Sequence, residues 1–393
     1  MAVIFISNVV PDNEQYRTSA FTRSGNNVLT GISESFPNSK DYILLSCRPV
    51  ASFPKGKLWY KKEIAHLDSG HKVLMLPTLN LKIIKNLFWG IYCFAYIICH
   101  YLNNRFDKSK VLVYNIYTPP ISFLYWACKF SKMQLFAILY DLGIPPQRLG
   151  LSKVSMLGYR YMEKIAKKYI PLLDGRIVIN EQIINFYSPE KNMLLIDGAV
   201  SDRVVNSLST LTESVSDKYV FVCAGLLWDQ NGTRIILDML DKYPQLDIKI
   251  YFAGVGNDVP LIKEKALSDT RVEYCGMLDM DNLFRLYSSA DVLLNIRIEE
   301  EIDFHFPSKL FEYMATGKCV LSTPIAHAER DYADYISFLT DISSDGLAQK
   351  IYEIMGVGKH ELFIRGEKTR EYILKNRRWR NRVTEILKYM NED

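Results

Sequence analysis

Short apolar runs alternate along the chain with amphipathic stretches of helical period. Strands of a parallel sheet are buried on both faces, so they are expected to appear in a sequence as such runs. In the first half the pattern predicts strands at 2–10, 42–47, 72–76, 111–116, 135–140 and 175–179, and a helix at 28–36. Because helical stretches separate several of these runs, the pattern indicates βαβ units and a parallel sheet.

The second half repeats this order of elements. It predicts strands at 219–223, 248–253, 272–275, 292–296 and 320–322, and helices at 233–242, 260–267, 283–288 and 309–315. The polar stretch 206–218 is typical of a linker. The sequence therefore predicts an α/β protein of two Rossmann-like, doubly wound domains, residues 1–205 and 206–370. A C-terminal helix at 371–393 is expected to pack back on the first domain.

The length and the cysteines fit this interpretation. A chain of 393 residues suits two α/β domains. The seven cysteines are scattered through apolar runs without a C-x-x-C pair, so we expect buried thiols in a reducing cytoplasm. Residues 1–8 lack the basic start of a signal peptide. The most apolar run, 87–99, is too short to span a bilayer, which leaves open a buried or an interfacial helix.

Charge is distributed unevenly along the chain. Residues 1–200 contain 24 Lys and Arg against 13 Asp and Glu, a net +11, whereas residues 201–393 carry −7. A basic half favours an anionic partner, which can be lipid headgroups, a diphosphate or nucleic acid. No nucleic-acid-binding motif accompanies the charge, so an anionic membrane surface is the preferred interpretation. Basic segments near Lys61, Lys82 and Lys164 are the parts expected to face it.

The segment 291–323 contains the candidate chemistry. Arg297 follows a predicted strand, and ligands of open α/β sheets bind beyond the carboxyl ends of the strands. Ser308 is a predicted N-cap, and Lys309 adds a full positive charge to a helix start that favours anions. Glu312, one turn further on, can accept two hydrogen bonds from vicinal hydroxyls. These residues fit a nucleotide diphosphate, with phosphate at Lys309 and ribose at Glu312.

The same segment resembles a known family. The stretch N-x-R … F-P-S-K-L-F-E-Y-M-A-T-G-K-x-V-L is similar to the donor-site segment of the retaining glycosyltransferases of family 4, above all to members that build capsular and exopolysaccharide chains. The resemblance covers about residues 219–325 and includes the short motifs at 224–226, 231–232, 252–256, 274–278 and 287–291. It implies the GT-B fold, in which two Rossmann-like domains face each other across a cleft.

The resemblance also implies roles for individual residues. Glu312 would hold the ribose hydroxyls, while Lys309, Ser308 and Arg297 would meet the pyrophosphate. The remaining donor-site positions that it implies are Gly25 in the turn after the first strand, Gly225, Gly276 and Met277 near the base, Asp303 and Pro307. Arg297 and Lys309 are thereby candidate catalytic residues. Asp141, which follows the strand at 135–140, is a third, on the acceptor side, although a turn-forming role for it stays open.

The chain departs from the family pattern at three positions. Phe304 stands where the family has a Glu that contacts the sugar, and Asp303 or one of the three glutamates at 299–301 could replace it. Leu226 and Asn231 stand where the family has a basic pair, so neutralising the diphosphate falls more heavily on Arg297 and Lys309.

Asp279-Met280-Asp281 is an Asp-x-Asp, which binds a metal in another glycosyltransferase fold. Here it precedes a predicted helix, so we expect a capping role, no essential metal and no cofactor beyond the nucleotide-sugar co-substrate.

We therefore expect a retaining glycosyltransferase that acts in surface polysaccharide biosynthesis. It would move a sugar from a nucleotide diphosphate, a UDP-sugar in the first instance, to a hydroxyl of a lipid-linked glycan at the inner face of the cell membrane. Two alternatives stay open at this point. One is a nucleotide-sugar-binding subunit without turnover, suggested by the missing Glu and basic pair, and the other is a sugar-nucleotide 2-epimerase.

Overall fold

A computed structural model describes residues 2–17, 23–82, 84–104, 109–140, 153–183, 193–209, 216–298 and 306–392. The chain divides into two compact units. Unit 1 comprises Met1–Ser201, Asp303–Phe306 and Trp379–Asp393, and unit 2 comprises Asp202–Ile302 and Pro307–Arg378. Each is an α/β unit built on a largely parallel sheet. The expected class of two Rossmann-like α/β domains is thus confirmed.

Unit 1 contains an eight-stranded sheet. The ten strands described in unit 1, in chain order, are β1 (Val3–Ser7), β2 (Tyr42–Ser46), β3 (Trp59–Tyr60), β4 (Glu63–His66), β5 (Lys72–Met75), β6 (Thr78–Leu79), β7 (Lys110–Tyr114), β8 (Gln134–Leu139), β9 (Gly175–Val178) and β10 (Leu194–Leu195). The sheet order is β10-β9-β8-β7-β1-β2-β5-β4, and β3 and β6 form a separate antiparallel pair. Only β4, at the edge, runs antiparallel to its neighbour among the described strands of this sheet. The central strand β1 is buried along its whole length, as its run Val-Ile-Phe-Ile-Ser predicts.

The helices that the structure bounds between these strands are α1 (Arg23–Ser35), α2 (Ile84–Asn103), α3 (Ile121–Ser131) and α4 (Lys153–Tyr169). Helix α3 packs against both α2 and α4, so the three form one layer. Helix α2 fits closely on α3, because a Cβ atom at Gly90 would lie 2.5 Å from the ring of Phe123. No helix in the described part of the chain is both long and apolar enough to cross a membrane.

Unit 2 contains a six-stranded, all-parallel sheet. Its strands are β11 (Tyr219–Leu226), β12 (Ile248–Val255), β13 (Val272–Gly276), β14 (Val292–Asn295), β15 (Cys319–Ser322) and β16 (Ser337–Phe338), in the order β13-β12-β11-β14-β15-β16. Its helices are α5 (Asp202–Ser209), α6 (Thr233–Lys242), α7 (Val259–Ser268), α8 (Met280–Ser289), α9 (Lys309–Ala315), α10 (Ala328–Asp331), α11 (Ser344–Val357) and α12 (Lys359–Asn376). This is the strand order of a Rossmann fold, and it reverses between β11 and β14.

The end of the chain differs from the single helix predicted at 371–393. Helix α12 ends at Asn376 in unit 2, and a separate helix α13 (Trp379–Asn391) belongs to unit 1 and packs against α1. The break arises because the backbone N–H of Trp379 donates to the carbonyl of Val200. Its indole then lies against Gly31 of α1, where a Cβ atom would be 2.2 Å from the ring.

Two other boundaries differ from the pattern. Helix α1 begins at Arg23 and not at residue 28. The apolar pattern missed its start because the first residues are polar. One of them, Asn26, makes side-chain hydrogen bonds to the backbone N–H and carbonyl of Val10. Residues 206–209, placed in a linker by composition, end helix α5, which buries Val204 and Leu208.

Glycines allow β11 and β12 to meet at their carboxyl ends. Gly225 and Gly254 are paired in register, with φ of +119° and +136°. A Cβ atom at Gly254 would lie 1.9 Å from the carbonyl oxygen of Gly225. Such a clash has no relief, because the opposing atom belongs to the backbone.

We therefore expect Gly254→Ala to lower the free energy of unfolding by about 3 kcal/mol, through both strain and steric overlap. The matched control is Gly356→Ala in α11, where the added methyl group meets nothing within 4 Å. This control should be neutral or slightly stabilising. Denaturant unfolding of the two variants measures the difference, and equal stabilities would contradict the account of the strand pair.

Candidate functional site

The reversal of strand order in unit 2 defines the place where a ligand is expected. Connections leave β11 and β14 toward opposite sides of the sheet, which opens a crevice beyond their carboxyl ends. Gly225 lies at the end of β11, and Asn295 ends β14, followed by Arg297. All of these residues belong to unit 2, so the crevice can be described within that unit.

Lys309 reaches this crevice from α9. Its ammonium group donates to the carbonyl of Ala224, two residues before the end of β11, at 3.2 Å. It also lies 5.7 Å from the ring centroid of Tyr313, one turn further along α9. Tyr313 is fully buried and packs edge-on against Tyr287, with ring centroids 5.0 Å apart. An aromatic wall therefore holds the lysine stem against the strand end, and its amine lies 3.9 Å from where a Cβ atom on Gly225 would stand.

The electrostatic surroundings of Lys309 oppose its charge. Burial lowers the pKa of the ammonium group, and the neighbouring Arg297 lowers it further, while Glu312, and Cys223 if it were a thiolate, act in the opposite direction. Burial also raises the pKa of the Cys223 thiol, which therefore stays neutral at physiological pH and leaves Lys309 without a thiolate. The positive charges of Lys309 and Arg297 repel each other beside the strand ends. An anionic ligand bound there would offset this repulsion.

The backbone of Arg297 is fixed by its neighbours. Its N–H donates to the hydroxyl oxygen of Thr323 at 3.0 Å, and that hydroxyl donates to the Arg297 carbonyl at 2.9 Å. The next residue, Ile298, donates from its N–H to the carbonyl of Gln230. The end of β14 is thus tied both to the end of β15 and to the loop after β11. Thr323 and Gln230 position the arginine, and the sequence pattern did not identify either residue.

The start of α9 departs from the expected cap. Ser308 occupies the N-cap position, but its backbone is helical and its side chain makes no capping hydrogen bond. Pro307 and Ser308 are both half-buried, as is Glu312 in the first turn of this seven-residue helix. The site therefore depends on the Lys309 side chain, since so short a helix with an irregular start presents little of a helix dipole.

Apolar side chains line the neighbouring strand ends. The side chains of Leu226, Trp228, Val255 and Met277 are exposed there, and Met277 retains 72% of its full accessibility. Gly276 adopts φ of +72° with open space around it, so a flat group can approach the backbone. Trp228 and Val255 were not predicted. A tryptophan five residues after the predicted strand at 219–223 is the sequence signal that could have identified Trp228, and no such signal marks Val255.

The Asp-x-Asp motif has the capping role that the sequence predicts. Asp279 is the N-cap of α8, and its carboxylate accepts from the backbone N–H of Asn282 at 2.8 Å and from the side-chain amide at 3.1 Å. Within the described ranges, no group of three or more His, Cys, Asp and Glu side chains could hold a metal ion.

The other predicted site residues lie elsewhere. Gly25 is in the first turn of α1 in unit 1, and not in a turn that precedes the helix. Asp141, Asp303, Phe304 and the glutamates at 299–301 lie outside the residues that the structure describes. The structure thus brings together Gly225, Arg297, Lys309 and Glu312 in unit 2, while Gly276 and Met277 lie at the end of β13, two strands away from β11 in the same sheet.

The buried charge of Lys309 leads to a prediction on stability. Lys309→Met keeps an unbranched apolar stem and removes the desolvated ammonium group, so the variant should be at least as stable as wild type at pH 7. Because the folded pKa lies below the 10.5 of a free lysine, the unfolded state binds more protons between the two values. The stability of wild type relative to the variant should therefore rise with pH across that window. Urea unfolding from pH 7 to 10.5 tests this, and a flat difference would contradict the burial of a charged amine.

Comparison with known proteins adds the class of protein. Residues 218–356, most of unit 2, match the family model described as glycosyl transferases group 1. No curated protein matches the chain significantly in sequence.

Several solved structures share the fold along the whole chain. A glycosyltransferase from Rickettsia africae is 15% identical, with a TM-score of 0.66 over 99% of this chain and 97% of that one. The sucrose-phosphate synthase of Thermosynechococcus elongatus is 14% identical, with a TM-score of 0.64 over 99% and 98%. HepE of Anabaena, solved with UDP, is 13% identical, with a TM-score of 0.63 over 99% of both chains. The chain therefore has the two-unit α/β fold of the GT-B glycosyltransferases, with a segment of the glycosyl transferases group 1 type in unit 2.

Proposed function

We propose that the protein is a glycosyltransferase whose donor is a nucleotide diphosphate sugar, most simply a UDP-sugar. The observation that carries the proposal is the pair of Lys309 and Arg297 at the strand reversal of unit 2, inside the segment that matches the family model. A diphosphate is the ligand chemistry that two such cations favour. The similarity to HepE, which has been solved with UDP and glucose, supports the same donor class.

In this proposal each residue has a distinct task. Lys309 and Arg297 bind the pyrophosphate and stabilise the charge that develops on it as the sugar departs. Glu312 accepts hydrogen bonds from the ribose hydroxyls. Gly276 lets the nucleobase approach the backbone, and the exposed side chain of Met277 packs against it. Because the positive charge comes from side chains, we propose that transfer needs no metal ion.

The proposed transfer retains the configuration of the donor. The bond between the anomeric carbon and the β-phosphate oxygen breaks, and a bond to the acceptor oxygen forms on the same face. The acceptor hydroxyl proton passes to the departing phosphate oxygen, so no covalent enzyme intermediate is required. Asp141 is proposed to orient the acceptor, and Asp303 to replace the carboxylate missing at Phe304.

We propose a lipid-linked glycan as acceptor, in surface polysaccharide biosynthesis. The support is the net +11 of residues 1–200 against −7 in the rest of the chain. A basic half attracts an anionic membrane, where lipid-linked intermediates reside, with each base near the surface contributing about 1 kcal/mol. The protein would then work peripherally at the inner face of the cell membrane.

One observation favours a second candidate, a nucleotide-sugar-binding subunit without turnover. Leu226 is exposed at the end of β11, where the family resemblance calls for arginine, so one positive charge is absent from the donor loop. Such a subunit would bind the donor and fail to transfer or hydrolyse it. Hydrolysis of the donor in the absence of acceptor distinguishes the two candidates.

Substitutions in α9 test the donor site. Lys309→Ala should weaken UDP binding about 10- to 100-fold, the loss of one charge-assisted hydrogen bond, and leave uridine binding unchanged. Glu312→Ala should weaken both ligands to a similar extent, because it acts on the ribose. Lys242→Ala is the matched control, since that lysine pairs with Asp345 on the surface of unit 2. Calorimetric titration gives the affinities, and wild-type binding by both α9 variants would refute the site.

Metal dependence provides an independent test. Donor turnover should survive a chelator, because Lys309 and Arg297 supply the charge that a divalent ion would otherwise supply. A loss of activity that manganese restores would contradict the proposal. It would also require the carboxylate of Asp279 to leave its hydrogen bonds to Asn282.

A further inference from the structure

Helix α2 exposes an apolar stripe. Its 20 residues are apolar nearly all round, and helices of this kind are normally buried on every side. Trp89, Cys93 and Ile97 face the core, as expected. The opposite side remains at the surface, and the residues that share it are Ile84, Leu87, Phe88, Ile91, Ala95, Ile98, Cys99 and Leu102. These eight are called the α2 stripe.

The α2 stripe is continuous over the length of the helix. At 1.5 Å per residue it extends for roughly 30 Å. No charged side chain interrupts it among the residues that the structure describes on this side of α2. Ile91, in the middle, keeps 54% of its full accessibility. An apolar surface of this length on a folded unit marks an interaction site.

Aromatic side chains widen the stripe on both sides. Phe130 of α3 is 65% exposed, and its ring contacts Phe94 of α2 with centroids 6.3 Å apart. Trp126, also exposed, contacts Phe130 at 5.9 Å. Near the start of α2, the exposed Trp59 of β3 meets Phe88 edge-on at 5.8 Å. Tryptophan and phenylalanine with one face in the protein and one in solvent are typical of surfaces at a membrane interface.

Lysines border this apolar surface. Lys129 is exposed on α3 and lies 5.3 Å from the ring centroid of Trp126. Helix α4 continues the same layer, since Tyr169 contacts Tyr125 of α3 at 5.6 Å. Its solvent side presents Lys164, Lys167 and Lys168, all exposed. The charge of this border is complementary to anionic lipid headgroups, and lysine stems can extend toward the headgroups while the apolar parts insert.

We infer that the α2 stripe, with Trp126 and Phe130, is an insertion face that enters the headgroup–acyl boundary of an anionic membrane. The inference rests on the proposed function for its partner, the anionic membrane. It adds that inserted apolar side chains hold the protein there. Charge alone gives adsorption that salt reverses, whereas buried apolar side chains give binding that survives salt. The face belongs wholly to unit 1, so it is independent of the donor site in unit 2.

A neighbouring copy of the chain is the main competing occupant. Two such stripes would bury apolar surface equally well, but the bordering lysines of both copies would then be brought close together. Like charges around a shared interface oppose association. The same lysines would make favourable contacts with anionic lipid headgroups. We therefore propose the bilayer, and not a second copy, as the partner of this face.

A native thiol provides the probe. Of the seven cysteines, all within the described residues, Cys99 is the one that is exposed, and it lies on the α2 stripe. An environment-sensitive fluorophore on Cys99 should shift to shorter wavelength on adding vesicles of neutral lipid with about one third anionic lipid, in line with burial of the stripe at the boundary. The shift should persist at 1 M salt, where the Debye length is about 3 Å.

Substitutions separate insertion from adsorption. Leu87→Glu with Ile91→Glu should weaken vesicle binding at high salt at least about tenfold. The matched control, Leu267→Glu on α7 of unit 2, changes a leucine that is 91% exposed and should bind like wild type. Lys164→Glu with Lys167→Glu and Lys168→Glu should weaken binding at low salt and change it little at 1 M salt. Donor hydrolysis and the unfolding midpoint should be unchanged in every variant.

The outcomes decide between the explanations. Vesicle binding that salt abolishes, or that the stripe variant retains, overturns the insertion face and leaves an electrostatic membrane location. Sedimentation in which wild type is a dimer and the stripe variant a monomer, with equal vesicle binding, assigns the face to a second copy. Absence of binding to any vesicle overturns both the face and the peripheral location, while wild-type donor hydrolysis in the same sample would leave the proposed transferase activity intact.

Discussion

The desolvated ammonium group of Lys309 is the constraint around which the candidate site is organised. Its hydrogen bond to the carbonyl of Ala224 fixes it to the end of β11, and the buried ring of Tyr313 holds its stem. Burial and the guanidinium of Arg297 both lower its pKa, so the folded protein keeps this charge at a cost. A bound diphosphate would offset that cost. The charge of Lys309 is therefore unfavourable in the free protein and would be favourable in the complex.

The surrounding structure keeps this charge in place. Gly225 and Gly254 let two strands approach closely at their ends, and Thr323 with Gln230 fixes the backbone of Arg297 from the other side. These contacts are made by backbone atoms and small side chains, which move little. A site of this kind would suit the proposed transfer, because groups that are already oriented before a reaction begins stabilise developing charge.

The sequence predicts five of the six described strands of unit 2, because each of these five is a short apolar run, and helices α6 and α9 have the predicted bounds. It also places Arg297 and Lys309 in one site, since the carboxyl ends of parallel strands share an edge. Strands β3, β4, β6, β10 and β16 were missed, because segments of two to four residues carry no clear period. The positioning roles of Thr323 and Gln230 depend on contacts across the fold, which no local pattern contains.

Helix α2 shows a different limit. Its sequence is apolar on every side, so it cannot indicate which side the fold covers, and both a buried and an interfacial helix were consistent with it. The packing of α3 on one side answers this, because it leaves the stripe through Ile91 at the surface. The two units thus present different chemistry, a cationic crevice in one and an apolar face bordered by lysine in the other.

The most direct test of the central claim is a crystal structure of the protein with UDP. The account predicts a diphosphate oxygen within about 3 Å of the Lys309 ammonium group, beyond the end of β11, with the base beside Met277. A nucleotide bound elsewhere, such as the cleft of about 240 Å³ lined by Asp291, Lys359 and His360, would contradict it.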